Sequence, residues 1–332
     1  MTGDSKNARK IIFVLDMLSQ NIKRRYNYLK CDIMNVYRNI HYYKKLRFER
    51  VQQKNVLYFV IDPLVKHPGI ADRIKAIVAI YNHTKKTDCR FKLYFRDPFD
   101  LSKFLAPVYD WRMELSDLEY SLVDTRFINE TNRKEIRKLR SDKQYHCYRY
   151  TGNLLPYQFD DTGYKWRDLF NELFTPSERL INAYNQLKLD ASQYVSIHIR
   201  FVNALEHFEN SLFDNYIESD VERLALIEKC KVGIDNVIRR NPDKMVLVFS
   251  DSRKFLDSLK DMSVRILNVD DIGHISETCN SKVHMKTFLD LYVMSKSQAI
   301  YRLRSKELYN RSCFALLAAR MGDVKFYDVE LG

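Results

Sequence analysis

Glycine and proline are scarce in this chain, with 8 and 7 among 332 residues. That rules out a collagen-like or low-complexity chain and leaves little room for flexible linkers or disordered tails. Long apolar runs are also missing. No stretch approaches the 18 or so apolar residues of a membrane span. The apolar run Ile11–Leu15 stops at Asp16, short of a signal-peptide core, so no secretory leader is expected and the chain reads as cytoplasmic. The six cysteines, at 31, 89, 147, 230, 279 and 313, form no CxxC pair and have no histidine at zinc-ligand spacing. Scattered reduced thiols fit them better than a disulfide framework. GxGxxG, GxxxxGK[ST], GxSxG and HExxH are all absent, which removes the usual signals of dinucleotide, P-loop, serine-hydrolase and zincin sites. No DxD occurs; the nearest paired acids are Asp160-Asp161 and Asp270-Asp271, poor support for a metal-held nucleotide sugar.

What is present is a large apolar fraction, 45%, and many aromatics, 22 Tyr and 19 Phe. These suffice for sizeable cores, and the length suggests two domains. The net charge is +12, and residues 1–54 alone hold 13 Lys/Arg against 4 Asp/Glu. The basic character therefore belongs mainly to one segment. It suits an anionic surface, although a solvated basic helix explains it equally well. Apolar residues recur there at helical spacing, first Ile11, Ile12, Leu15, Leu18 and Ile22, then Ile33, Val36, Tyr37 and Ile40. The number of apolar and aromatic positions favours a helix pair packed on the body. Docking on a membrane is the other expectation.

From residue 56 the pattern becomes α/β. Val56–Ile61 reads as a buried strand, followed by a loop with Gly69 and a helix to about Asn82, with Phe91–Phe95 as the next strand. That order implies a parallel pair with a right-handed crossover. Arg133–Arg140 reads as an exposed basic helix, and residues 174–190 as a link between domains. In the second half Tyr194–Arg200, Met245–Phe249, Val264–Leu267 and Ala299–Leu303 read as strands. Helices fall over roughly 219–240, after Ser250-Asp251-Ser252, over Lys286–Met294 and over Cys313–Met321.

Polar groups gather where three of these strands end: Arg200 with Asn203, Ser250-Asp251-Ser252, and Arg304-Ser305 leading to Ser312. Open α/β sheets bind ligands in the crevice beyond such ends. An arginine offers a planar fork to phosphate, and Ser312 before a helix offers a hydroxyl beside free N–H groups. Asp251 could cap its helix or accept from a ribose or base; Asp290 could orient Arg200 or a ligand hydroxyl. A solvated arginine on an edge strand and ordinary caps account for the same residues.

Taken together the segments resemble the GT-B fucosyltransferase superfamily. Ser196–Asn203 resembles its HxRxxD motif, with His198 and Arg200 matching and Asn203 in place of the acid. Phe249–Ser252 resembles its strand-end SD stretch. Leu289–Ser295 through Arg311–Ala319 resembles its closing motif, in which Ser312 and Phe314 match and Ala315 replaces a serine. Gly69–Ile74 resembles its glycine loop, with Gly69 and Arg73 matching and Asp72 where Asn is common. The likeness runs over about residues 56–322.

It implies a GT-B-like α/β fold of two Rossmann-like domains facing across a cleft, an acceptor-side domain over 56–185 and a nucleotide-sugar domain over 190–325; the basic helical extension over 1–55, read from its charge and spacing, lies outside the likeness. It also implies an inverting transfer of fucose from GDP-fucose to a glycan or lipid-linked glycan, with no cofactor, no essential metal and no nucleic acid partner. Arg200 would stabilise the leaving GDP. His198, Asn203, Asp251, Ser252, Asp290, Ser312, Cys313 and Phe314 would surround the donor. Gly69, Asp72, Arg73, Glu206 and His207 would lie on the acceptor side. The base is left among Asp62, Asp72, Glu206 and His207. Asn203 leaves room for another nucleotide sugar, and a non-catalytic nucleotide- or glycan-binding protein is the remaining alternative.

Overall fold

The computed structural model describes residues 26, 29–30, 32–64, 67–129, 133–148, 164–206, 215–267, 271–273 and 280–332. His207, Asp160-Asp161, Asp270 and the first expected helix, with Ile11 to Ile22, lie outside these residues.

Two parallel sheets carry the chain. The first has the order β2-β1-β5-β4, built from β1 (Val56–Ile61), β2 (Arg90–Phe95), β4 (Thr125–Ile128) and β5 (Gln144–Cys147). The second has the order β11-β10-β7-β8-β9, from β7 (Tyr194–Ile199), β8 (Met245–Ser250), β9 (Arg265–Ile266), β10 (Ala299–Arg304) and β11 (Lys325–Glu330). A short antiparallel ribbon, β3 (Leu105–Pro107) with β6 (Phe174–Pro176), lies apart from both.

The expected strands are present because their apolar runs are buried. All six residues of β1 and all six of β7 are buried. Side chains alternate across the second sheet. Val195, Ile197 and Ile199 face α5 (Asp220–Arg240) in one core cluster. Leu247, Phe249 and Ile300 face the opposite way, into a cluster shared with α7 (Ser281–Ser295) and α8 (Phe314–Gly322). That cluster continues into the first half, through α3 (Trp166–Leu173) to α2 (Ile70–Lys85) and β1. Phe104 stacks on Phe288 with centroids 4.5 Å apart, joining the two halves.

Three local expectations change. Residues 124–149, dense in charge, supply β4 and the central strand β5, whose sequence Gln-Tyr-His-Cys has no apolar run. The polar side chains are satisfied instead: the Gln144 amide donates to Gln53 O (2.9 Å) and accepts from Glu119 N (3.1 Å). Arg133–Lys138 is a 3-10 turn anchored by buried Ile136 rather than an exposed helix. Residues 174–190, read as a link between domains, hold β6 and α4 (Glu178–Gln186), and α4 rests on α7 through Tyr184 and Tyr292. The last change concerns the N-terminal helix α1 (residues 32–45). It packs on the body as expected, but through Arg38 and Tyr42, and its apolar residues face outward.

Where α8 ends, an ideal Cβ on Gly322 would lie 1.8 Å from the Ser295 carbonyl oxygen at the end of α7. Alanine ordinarily favours a helix by up to about 1 kcal/mol over glycine. Here Gly322→Ala should instead destabilise by about 2–3 kcal/mol, because two backbones must separate. Chemical denaturation of the variant reads the sign.

Candidate functional site

β7 ends at Ile199, and the chain then turns sharply. Val202 sits at φ 57°, a conformation that a β-branched residue adopts only when the surroundings hold it there. The holding group is Asp251, at the end of β8. One carboxylate oxygen accepts from Phe201 N at 2.8 Å and the other from Val202 N at 2.7 Å. Arg200 Nη1 lies 3.2 Å from the same carboxylate. Burial pushes the Asp251 carboxyl up from its ordinary value, while Arg200 and the two amides favour the charged form. Asp251 therefore serves the turn and Arg200, and its oxygens are already engaged, where the sequence suggested a cap or a ribose contact.

Asn215 fastens the same turn to the loop after β10. Its amide donates to Phe201 O (2.7 Å) and Glu307 O (3.2 Å), and its oxygen accepts from Asn203 N (3.1 Å). Tyr309 N donates to Arg200 O at 2.9 Å. The loop thus crosses the end of β7 and delivers Ser312, Cys313 and Phe314 to it. Arg302, opposite His198 in the sheet register, donates to Ser312 O at 2.7 Å and holds Asp328 through two bonds, 2.6 and 2.9 Å. Ser312 Oγ accepts from Phe314 N at 3.4 Å. The start of α8 then presents first-turn N–H groups, which every helix leaves unpaired within itself. The end of β7 thus makes a corner that carries Arg200, whose side chain keeps about a fifth of its surface exposed, and that receives the start of α8 through the Tyr309 and Phe314 contacts.

His198 lies beneath this corner. Its ring is 5.6 Å from the Phe314 ring, and its Nδ1 is buried with no hydrogen-bond partner. Burial, with Arg200 and Arg302 nearby, pulls its pKa down to about 3. Both the folded-state depression and the ordinary value of 6.5 fix the sign: the unfolded chain takes up a proton below pH 6.5 and the folded chain does not. Stability from His198 is therefore complete above pH 6.5 and is lost as pH falls toward 3. The slope should reach about 1.4 kcal/mol per pH unit. His146, pulled to about 3 by burial, adds the same slope. Urea midpoints between pH 7 and 5 should fall less steeply in His198→Gln than in the wild type.

The other expected residues are placed as follows. Ser252 caps α6 (Arg253–Asp257) through Phe255 N, 3.1 Å, and donates to Glu206 at 2.7 Å. Glu206 also accepts from Lys254 N at 3.0 Å, so it belongs with β8 and α6. Asp290 pairs with Lys286 one turn earlier, at 2.5 Å, and both are largely buried. On the first sheet's side, Gly69 is the N-cap of α2 with φ −59°, so no positive φ requires glycine there. Asp72 pairs with Lys75. Arg73, 1% exposed, donates to Pro68 O and Asp97 O, both at 2.8 Å, and ties the loops after β1 and β2 together. Asp62 is paired with Arg38 at 2.5 Å. The described candidates for a base, Asp62, Asp72 and Glu206, thus each already hold a partner.

Arg302, Asn215, Arg38 and Lys286 escaped the sequence reading. For Lys286 the spacing to Asp290, one helical turn, was a usable signal. For the others the partner is distant in sequence and no local pattern points to it.

The chain matches no protein-family description, and no curated protein matches its sequence. Solved structures do match its fold. A crystal structure of NodZ α1,6-fucosyltransferase soaked with GDP-fucose aligns with a TM-score of 0.55 at 12% identity, over 81% of this chain and 93% of that one. The fold is that of the GT-B fucosyltransferases. Fucosyltransferase NodZ from Bradyrhizobium aligns with a TM-score of 0.53 at 11% identity, over 80% and 92% of the two chains. A NodZ structure co-crystallized with GDP gives 0.53 at 13% identity. At this identity the likeness is one of fold.

Proposed function

We propose that this GT-B protein is a glycosyltransferase that moves fucose from GDP-fucose to a hydroxyl of a glycan or lipid-linked glycan, with inversion at the anomeric carbon. The observation that carries the reading is the corner formed by Arg200, fixed by Asp251, and the start of α8 behind Ser312. As the acceptor oxygen attacks the anomeric carbon, its proton passes to a base from the set Asp62, Asp72, Glu206 and His207, the bond to GDP breaks and negative charge accumulates on the β-phosphate. Arg200 and the N-terminal dipole of α8 stabilise that charge. His198, neutral and packed on Phe314, sets the floor of the corner without adding charge. In this reading the protein's own cations meet the diphosphate, and no metal takes part. The fold shared with NodZ, whose crystals were soaked with GDP-fucose or grown with GDP, supports the nucleotide-sugar donor.

Calorimetry of GDP and GDP-fucose tests the donor. Saturable binding of both is expected. Binding of UDP-, CMP- or dTDP-sugars in their place would keep the transferase and reject fucose, an outcome to which Asn203, standing where the motif has an acid, gives specific interest. Binding of no nucleotide would reject the reading.

A further inference from the structure

Amphipathic helices on globular proteins ordinarily turn their apolar side inward. Helix α1 does the reverse. Its inward contacts are Arg38, bonded to Asp62, and Tyr42, whose hydroxyl meets His146 Nδ1 at 2.9 Å and whose ring stacks on Phe127 at 4.1 Å. Both side chains are buried. On the outward side of α1 lie Ile33, Val36, Ile40 and Tyr43, and the helical residues Tyr26 and Leu29 before it continue the same alternation of three- and four-residue steps, the spacing of one helix face. All six are between 49% and 64% exposed. Exposed apolar residues are common singly, but a continuous stripe calls for a partner.

We infer that this outward face docks on an anionic lipid bilayer, with the helix axis lying in the plane of the surface. Charge selects the partner. The stripe stands in a segment, residues 1–54, with 13 Lys/Arg against 4 Asp/Glu. Lys30 and Lys44, both exposed, fall beside it on the helix. A second copy of the chain would set the same excess positive charge against itself, while an anionic bilayer attracts it. Long lysine side chains can reach headgroups while Leu29, Ile33, Val36 and Ile40 enter the acyl boundary. The inward anchors resist helix rotation, so the apolar face is fixed relative to the body. Among the described residues no helix is long and apolar enough to cross a membrane, which fits attachment from one side. The inference does not depend on the identity of the nucleotide donor.

Cosedimentation of the full chain with vesicles tests it. The wild type should bind vesicles of equal parts phosphatidylglycerol and phosphatidylcholine, bind pure phosphatidylcholine vesicles at least about tenfold more weakly, and release in high salt. The double variant Ile33→Asp, Ile40→Asp changes two outward side chains and should keep the wild-type melting curve while losing at least about tenfold in vesicle partition. Equal partition of variant and wild type would overturn the proposal, as would absence of wild-type binding. A wild-type dimer by light scattering that becomes monomeric in the variant, with no vesicle binding by either, would assign the stripe to a second copy and overturn it as well.

Discussion

Arg200→Ala should lower transfer from GDP-fucose by about 10²–10³, the loss seen when one preorganised donor to developing charge is removed, or roughly 2.7–4 kcal/mol. The fold should survive, but at a cost of about 1–3 kcal/mol, because the buried Asp251 carboxylate loses its counter-charge. Asp251 would lose an ion pair but would still accept from Phe201 N and Val202 N, so the turn after β7 keeps its anchor. Arg200→Lys should recover little, because a lysine ammonium is a point donor and cannot present the planar fork that meets two phosphate oxygens. The informative comparison is kcat against KM. Because the diphosphate is charged in the ground state too, KM for donor should rise, but the larger loss should fall in kcat, where charge grows on the leaving group. Wild-type turnover in the folded variant would remove Arg200 from the chemistry and leave it as a structural partner of Asp251.

Asp251→Ala should be the most destabilising single change in the site, costing about 3–5 kcal/mol. It removes the acceptor of two buried N–H groups, leaves Arg200 without its anion, and frees Val202 from the contact that maintains φ 57°. Asp251→Asn retains one acceptor oxygen but sets an NH₂ group against the second amide, so it should recover only part of the loss. Denaturant unfolding measures the stability, and limited proteolysis shows whether residues 200–206 open. If both variants unfold with the wild-type midpoint, the turn is held by Asn215 and Tyr309 instead. The two predictions separate by proportion: changing the arginine should cost more in turnover than in stability, while changing the aspartate also removes the acceptor of two backbone amides and should cost more in stability.

The alternation of strand and helix was legible because it rests on local patterns. The apolar runs of β1, β7 and β8 could only be buried, and the helical spacing of α5 could serve only one face. Arg200 was legible for the same reason: a charged residue at the end of a buried strand has few places to go. β4 and β5 were not legible. Gln144 and His146 are buried by partners such as Gln53, Glu119 and Tyr42, far away in the chain. Arg73 shows the same limit. Its motif position suggested the acceptor side, and only the fold shows that its guanidinium joins the loops after β1 and β2.

By itself, then, the sequence determined the parallel α/β architecture, the concentration of positive charge before residue 55, and the strand ends at which ligands of this fold are met. Tertiary structure alone decided what each polar group is bonded to: Asp251 to the backbone after β7, Asp62 to Arg38, Asp290 to Lys286. It also decided that α1 shows its apolar side outward. The physical reason is one of range. Periodicity and turn chemistry act over a few residues and can be read along the chain. A buried hydrogen bond or ion pair is fixed by which surfaces meet, and that is settled only when sheets and helices separated by a hundred residues come together.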